Sequence, residues 1–93
     1  DIAALRRAFS KAFRSAPPLA FGGVSQEERK RLEKEWWKKV VTNVYTEVGM
    51  FAGFDEHFDE LFEVFRTEAW ALFPETVPVL DALKSKGYRL GII

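Results

Sequence analysis

The chain has 93 residues, of which 47% are hydrophobic and 30% are charged, a composition typical of one small soluble globular domain. Its 14 basic residues balance 14 acidic ones, so no net charge favours a nucleic acid or an anionic membrane as partner. The absence of cysteine excludes disulfides and cysteine-ligated metal sites, and no apolar run is long enough to cross a bilayer. We therefore expect neither a nucleic-acid nor a membrane partner.

The first two predicted helices are separated by a turn-rich segment. Leu5, Phe9 and Phe13 recur at four-residue spacing, which indicates one apolar stripe of an amphipathic helix. This helix ends before SAPPLAFGG, because paired prolines cannot extend a helix and paired glycines favour a turn. Ser25 and Glu28 have capping-box spacing at the start of the second helix, so each side chain can bind a backbone N–H group of the other. The second half of this helix carries a wide apolar stripe, which predicts packing on more than one side.

Two further helices and one strand are predicted in the second half. Asp55 is the predicted N-cap of the third helix. The fourth helix is predicted over PETVPVLDALKSK, where Pro78 is tolerated only in the first turn. After Gly87, the apolar run in GYRLGII indicates a strand buried on both faces of a parallel sheet. No second strand is predicted for it to pair with, so we expect both ends of the chain to be cut from a longer protein.

No catalytic constellation is evident. His57 stands alone in an acidic helix and is predicted to be solvated, and no serine has a histidine partner of the kind a catalytic triad needs. Trp36 and Trp37 lie among lysines and arginines, as in some nucleic-acid-binding surfaces. Because glutamates are interleaved with these cations, core aromatics beneath a salt-bridged face are the preferred interpretation.

Two stretches resemble haloacid dehalogenase-like hydrolases. The run FPETVPVLDALKSKGYRLGII resembles the stretch that precedes the second conserved motif of that family. The run EKEWWKKVVTNVYTEVG resembles the cap helix of the branch whose caps carry a paired tryptophan. The resemblance implies a mainly α fold: a four-helix cap-type bundle followed by one strand, with a helical cap domain in residues 1–73 and the fourth helix and the strand in 74–93. The helix and strand of 74–93 would be the first part of an α/β Rossmann-like core domain, and the rest of that domain would be absent from this chain.

The same resemblance implies an activity for the parent enzyme. It would be a phosphatase that acts on a small-molecule phosphate ester through an aspartyl-phosphate, with Mg²⁺ as cofactor. Some relatives instead dehalogenate with the same aspartate. The catalytic and metal-binding residues of the family would all lie outside these 93 residues. The resemblance therefore implies that this chain alone binds no metal and catalyses nothing.

The loop LAFGGVSQEE, between the first two helices, is the candidate substrate gate. Its GGVSQE part resembles the KGVSRE specificity loop of the β-phosphoglucomutase branch. At Gly22 and Gln26, it lacks the lysine and the arginine of that branch. This difference argues against a substrate with a strongly anionic group distal to its reacting group. The candidate gating residues are Phe21, Gly22, Gly23, Val24 and Gln26. The alternative is that this loop only starts a helix.

A rival hypothesis is a self-contained helical protein-interaction module without catalysis, whose last segment adds to a partner's sheet. A nucleic-acid-binding helical domain is third, and the neutral charge balance counts against it. The isolated apolar strand favours the hydrolase hypothesis, because a complete module should not end on an uncovered, unpaired edge. On that hypothesis, we expect the isolated chain to associate or to be only marginally stable.

Overall fold

The computed structural model describes all 93 residues and contains four α-helices and no strand. The helices are α1 (Ile2–Ser15), α2 (Gln26–Val48), α3 (Phe54–Thr67) and α4 (Thr76–Ser85). The predicted mainly α class with four helices is confirmed. The chain divides into two compact units, Asp1–Glu63 and Val64–Ile93. The domain boundary that the resemblance implies, at residue 73, stays a prediction.

The core of the first unit lies between α1 and α2. Ala8 and Ala12 are buried on one face of α1, and their small side chains allow the two helices to approach closely. They pack in one cluster with Trp36, Val40 and Val44, which recur every four residues along α2. This cluster fixes how α1 lies along α2.

The start of α2 is capped as the sequence predicts, but only in part. The Ser25 hydroxyl accepts from the backbone N–H of Glu28 at 3.1 Å. The Glu28 carboxylate does not complete the capping box, because it binds the Arg31 guanidinium instead. A charged partner one turn away offers a stronger, charge-assisted hydrogen bond than the exposed backbone N–H of Ser25 does.

Helix α3 is joined to α2 through side chains. Phe58 is 1% exposed, and Lys38 lies over its ring while also pairing with Asp55 at 3.1 Å. Lys34 makes the same double contact one turn away, with Asp59 and with the Phe62 ring. Helix α3 begins at Phe54, so Asp55 lies in its first turn. The prediction that Asp55 is the N-cap is therefore wrong. Its position still favours the helix, because a carboxylate near the N-terminus complements the helix dipole.

The second unit has little core. Helix α4 buries none of its residues, and Pro78 lies in its first turn as predicted. The helix ends in a Schellman-type turn, in which the Tyr88 N–H donates to the Leu83 carbonyl at 3.2 Å. Gly87 permits this turn because its φ of 87° lies in the left-handed region. Residues 88–93 form no strand; since a strand requires a hydrogen-bonded neighbour, their pairing in a larger sheet stays a prediction.

We expect Phe58→Ala to lower the free energy of unfolding by about 3–5 kcal/mol, because it leaves a cavity between α2 and α3. Phe9→Ala is the matched control: the side chain is 43% exposed, so its loss should cost about 1 kcal/mol or less. Urea unfolding followed by far-UV circular dichroism measures both. Equal losses from the two variants would contradict this description of the core.

Candidate functional site

The loop between α1 and α2, residues 16–25, is held against the first unit by two contacts. The Trp36 indole N–H donates a hydrogen bond to the Pro17 carbonyl at 2.8 Å. Phe21 is partly buried and packs against the α1–α2 core cluster. One end of the loop is therefore fixed by a hydrogen bond from the core, and its middle is fixed by apolar contact.

The structure places all five candidate gating residues on this loop and at the start of α2. Phe21 and Val24 are half-buried, whereas Gly22, Gly23 and Gln26 are exposed. Gly23 has a φ of 73°, which only glycine adopts readily. No heavy atom lies within 4 Å of where a Cβ would stand on either glycine. The glycines at the exposed tip therefore have free space around them, while Trp36 and the core cluster hold the rest of the loop. The role of the loop in gating stays a prediction.

The loop carries no charge of its own. No ionisable side chain occurs between Arg14 and Glu27. Beyond the loop, Arg29 and Lys30 are exposed cations at the start of α2. Arg31 is paired instead: its Nη1 lies 2.6 Å from a Glu35 carboxylate oxygen, and it also binds Glu28.

The Arg31 hydrogen bond also affects titration. Because Arg31 donates to its carboxylate, the pKa of Glu28 lies below its ordinary value. The same hydrogen bond, with the charges of Glu28 and Glu35, raises the pKa of Arg31. Both groups remain ionised across the neutral range, so the start of α2 keeps one fixed ion-pair network.

The tryptophan pair belongs to the packing of this region. Trp36 is 7% exposed, and its ring meets those of Phe13 and Trp37 edge to face, at centroid distances of 5.8 and 4.8 Å. A buried ring is not available for stacking on nucleic-acid bases. This geometry favours core aromatics beneath a charged face over a nucleic-acid-binding surface.

A second aromatic cluster was not predicted from the sequence. Tyr45 Oη lies 3.3 Å from His57 Nε2, and the rings of Phe51 and Phe54 pack around the pair. His57 is half-buried, so the prediction of a solvated histidine is wrong. The sequence signal that could have indicated this cluster was the number of aromatic residues on both sides of Gly49. The turn after Gly49 brings the end of α2 close to the start of α3.

The residues of this chain do not fit the magnesium ion that the resemblance implies for the parent enzyme. No group of three or more histidine, aspartate or glutamate side chains is arranged so that it could hold a metal ion. Asp55 and Asp59 bind Lys38 and Lys34 rather than converging on a common point.

No protein-family model, curated protein sequence or solved structure matches this chain. None of the four helices is both long enough and apolar enough to cross a membrane. A function must therefore be supported by the residues and geometry of the chain itself.

We expect Trp36→Phe to loosen the loop, because it removes the hydrogen bond to Pro17. A hydrogen bond of this kind contributes about 1 kcal/mol, so limited cleavage of the loop by chymotrypsin at Leu19 and Phe21 should become about three- to tenfold faster. Trp37→Phe is the matched control, since this indole packs by its ring contacts. Equal acceleration in both variants would contradict the assigned role of the Trp36 hydrogen bond.

Proposed function

We propose that this chain is the helical cap of a haloacid dehalogenase-like hydrolase, together with the helix and apolar segment that lead into its catalytic core. The proposed activity of the parent enzyme is Mg²⁺-dependent hydrolysis of a small phosphate ester through an aspartyl-phosphate. The observation that carries the proposal is the uncovered apolar surface of the unit Val64–Ile93. The resemblance of its sequence to the segment before the second family motif gives that surface a specific partner, the α/β core.

The exposure of this unit is extensive. Trp70 and Phe73 are each 75% exposed and Leu72 is 71% exposed. Further exposed apolar side chains continue along α4 and the segment after it: Val77, Val79, Leu80, Tyr88 and Leu90. Folded proteins rarely leave a large contiguous apolar surface in water unless it serves an interface. In the proposed enzyme, α4 would cover one face of a parallel sheet and residues 88–93 would form one of its strands.

The first unit supports the cap part of the proposal. A cap selects the substrate and excludes water from the reacting group. The loop of residues 16–25 suits that task, because its base is fixed by Trp36 and Phe21 while its glycine tip is open. Its lack of charge favours esters whose non-reacting part is neutral or apolar.

The residues of this chain take no covalent part in the proposed reaction. The phosphoryl group would be accepted by an aspartate of the core, and Mg²⁺ bound there would offset the charge of the phosphate. What the chain contributes is the position of the loop and the exclusion of water.

A second candidate function rests on the same exposed surface. A helical interaction module would use Trp70, Leu72 and Phe73 to bind another protein, with no catalysis. The two hypotheses differ in whether the covering surface belongs to the same polypeptide as the cap.

The deciding experiment uses the native polypeptide that contains these residues. We expect its intact mass to exceed 10.7 kDa by roughly a domain of 100–150 residues. We further expect it to hydrolyse 4-nitrophenyl phosphate with Mg²⁺ and to lose this activity on chelation. Release of chloride from 2-chloropropionate without phosphatase activity would favour the dehalogenase variant. A native mass near 10.7 kDa, or a larger protein with neither activity, would overturn the proposal.

A loop variant of that active polypeptide tests the gate. Phe21→Ala removes the apolar anchor of the loop, and we expect kcat/KM for an aryl phosphate to fall about tenfold. Phe9→Ala changes an aromatic side chain outside the loop and should leave kcat/KM within about twofold of the unmodified protein. A loss of equal size in both variants would show that the effect is one of general stability rather than of the loop.

A further inference from the structure

The neutral charge balance of the chain conceals a separation of charge between two helices. Helix α1 carries four basic side chains and no acidic one. Helix α3 carries five acidic side chains and one arginine. Both helices pack against α2 by other faces, so each presents one sign of charge to the solvent.

The basic side chains of α1 form a continuous outer face. Arg7, Lys11 and Arg14 recur at spacings of four and three residues, which places them in one row. A shallow surface depression on this face is lined by Arg6, Arg7, Ser10, Lys11, Arg14 and Ser15. Lys11 binds Glu47 of α2 at 2.9 Å. Arg6, Arg7 and Arg14 are exposed, and none of them takes part in the ion pairs of the chain.

The acidic side chains of α3 divide into two rows. Asp55 and Asp59 face α2 and bind its lysines. Glu56 and Glu60 form the outer row, four residues apart. This is also the spacing of Arg7 and Lys11, and both glutamates are exposed.

We propose that the outer face of α1 binds the outer face of α3 in a second copy of this chain. The opposite charges exposed along two helices of 14 residues each support this occupant. Because each copy carries both faces, on different helices, the contact can repeat from one copy to the next. The half-exposed ring of Phe9, three residues from Arg6, would be partly covered beside the charged row.

The predicted association is weak and dependent on salt. Exposed ion pairs are individually weak, and added salt shortens the distance over which they act. In sedimentation of the chain at about 0.02 M salt, the weight-average mass should rise above 10.7 kDa with protein concentration. At about 0.5 M salt, the part of this association that depends on charge should be lost.

Charge-swapped variants test the specific contact. Arg7→Glu with Arg14→Glu, and Glu56→Lys with Glu60→Lys, should each abolish association, while an equimolar mixture of the two double variants should restore it. Arg29→Glu with Lys39→Glu, exposed on α2, is the control with the same change in charge as Arg7→Glu with Arg14→Glu and should associate like the unmodified chain. Circular dichroism checks folding, and the corresponding glutamine variants replace any that fail to fold.

Three results would overturn the proposal. The unmodified chain could remain monomeric at low salt, or the mixture of swapped variants could fail to associate. Association could also be indifferent to salt and to the swap, as expected if the apolar surface of Val64–Ile93 were responsible. That last result would leave the proposed function intact, because the proposed function needs this apolar surface and not the α1–α3 contact.

Discussion

The first unit depends on the ability of α2 to pack on two sides in two different ways. Toward α1 it presents Trp36, Val40 and Val44 against the buried alanines, and this contact is close because alanine side chains are small. Toward α3 it presents Lys34, Lys38 and Tyr45. One helix therefore supports a tight apolar contact and a longer, side-chain-mediated one.

The contact between α2 and α3 combines apolar and polar contributions in the same side chains. Lys34 and Lys38 lie over phenylalanine rings while their ammonium groups bind aspartates at 3.1 Å. The ammonium groups stay at the surface, so the desolvation cost of a buried ion pair is avoided. The exposed pairs contribute little alone, and burial of Phe58 beneath them supplies most of the stabilisation. The lysines therefore mainly set how α3 lies along α2.

Local sequence signals predicted the helices well, since each depends on residues within one or two turns. The helical periodicity of α1, the Ser25 hydroxyl cap and the turn at Gly87 that follows α4 are all of this kind; the burial of Ala8 and Ala12 rather than Phe9 and Phe13 was not predicted. The candidate loop was also predictable as a loop, because its prolines and glycines exclude regular structure. Its anchor was not predictable, because the bond from Trp36 to Pro17 joins residues 19 positions apart.

The wrong predictions have a common physical cause. His57 and Glu28 were assigned from their immediate neighbours, yet each side chain found a better partner elsewhere: Tyr45 across a turn and Arg31 one turn along. Polar side chains choose among several reachable partners, and the choice depends on geometry that periodicity does not encode. The segment after Gly87 is the limiting case. Its apolar pattern suits a strand, but a strand is defined by its neighbour, and only a sheet that supplies one can decide whether the pattern is realised.

The two units consequently place different demands on a partner. The first unit buries a core of its own between α1 and α2, although Phe9, Phe13 and Met50 remain 43%, 47% and 48% exposed. The second unit leaves aromatic and aliphatic side chains in water, and only burial against another apolar surface can remove that cost. Such a chain can be stable in its first unit while its last 30 residues, Val64–Ile93, have little core of their own. This difference is the physical reason why we propose separate roles for the two units, the first in selecting a substrate and the second in joining a cap to a core.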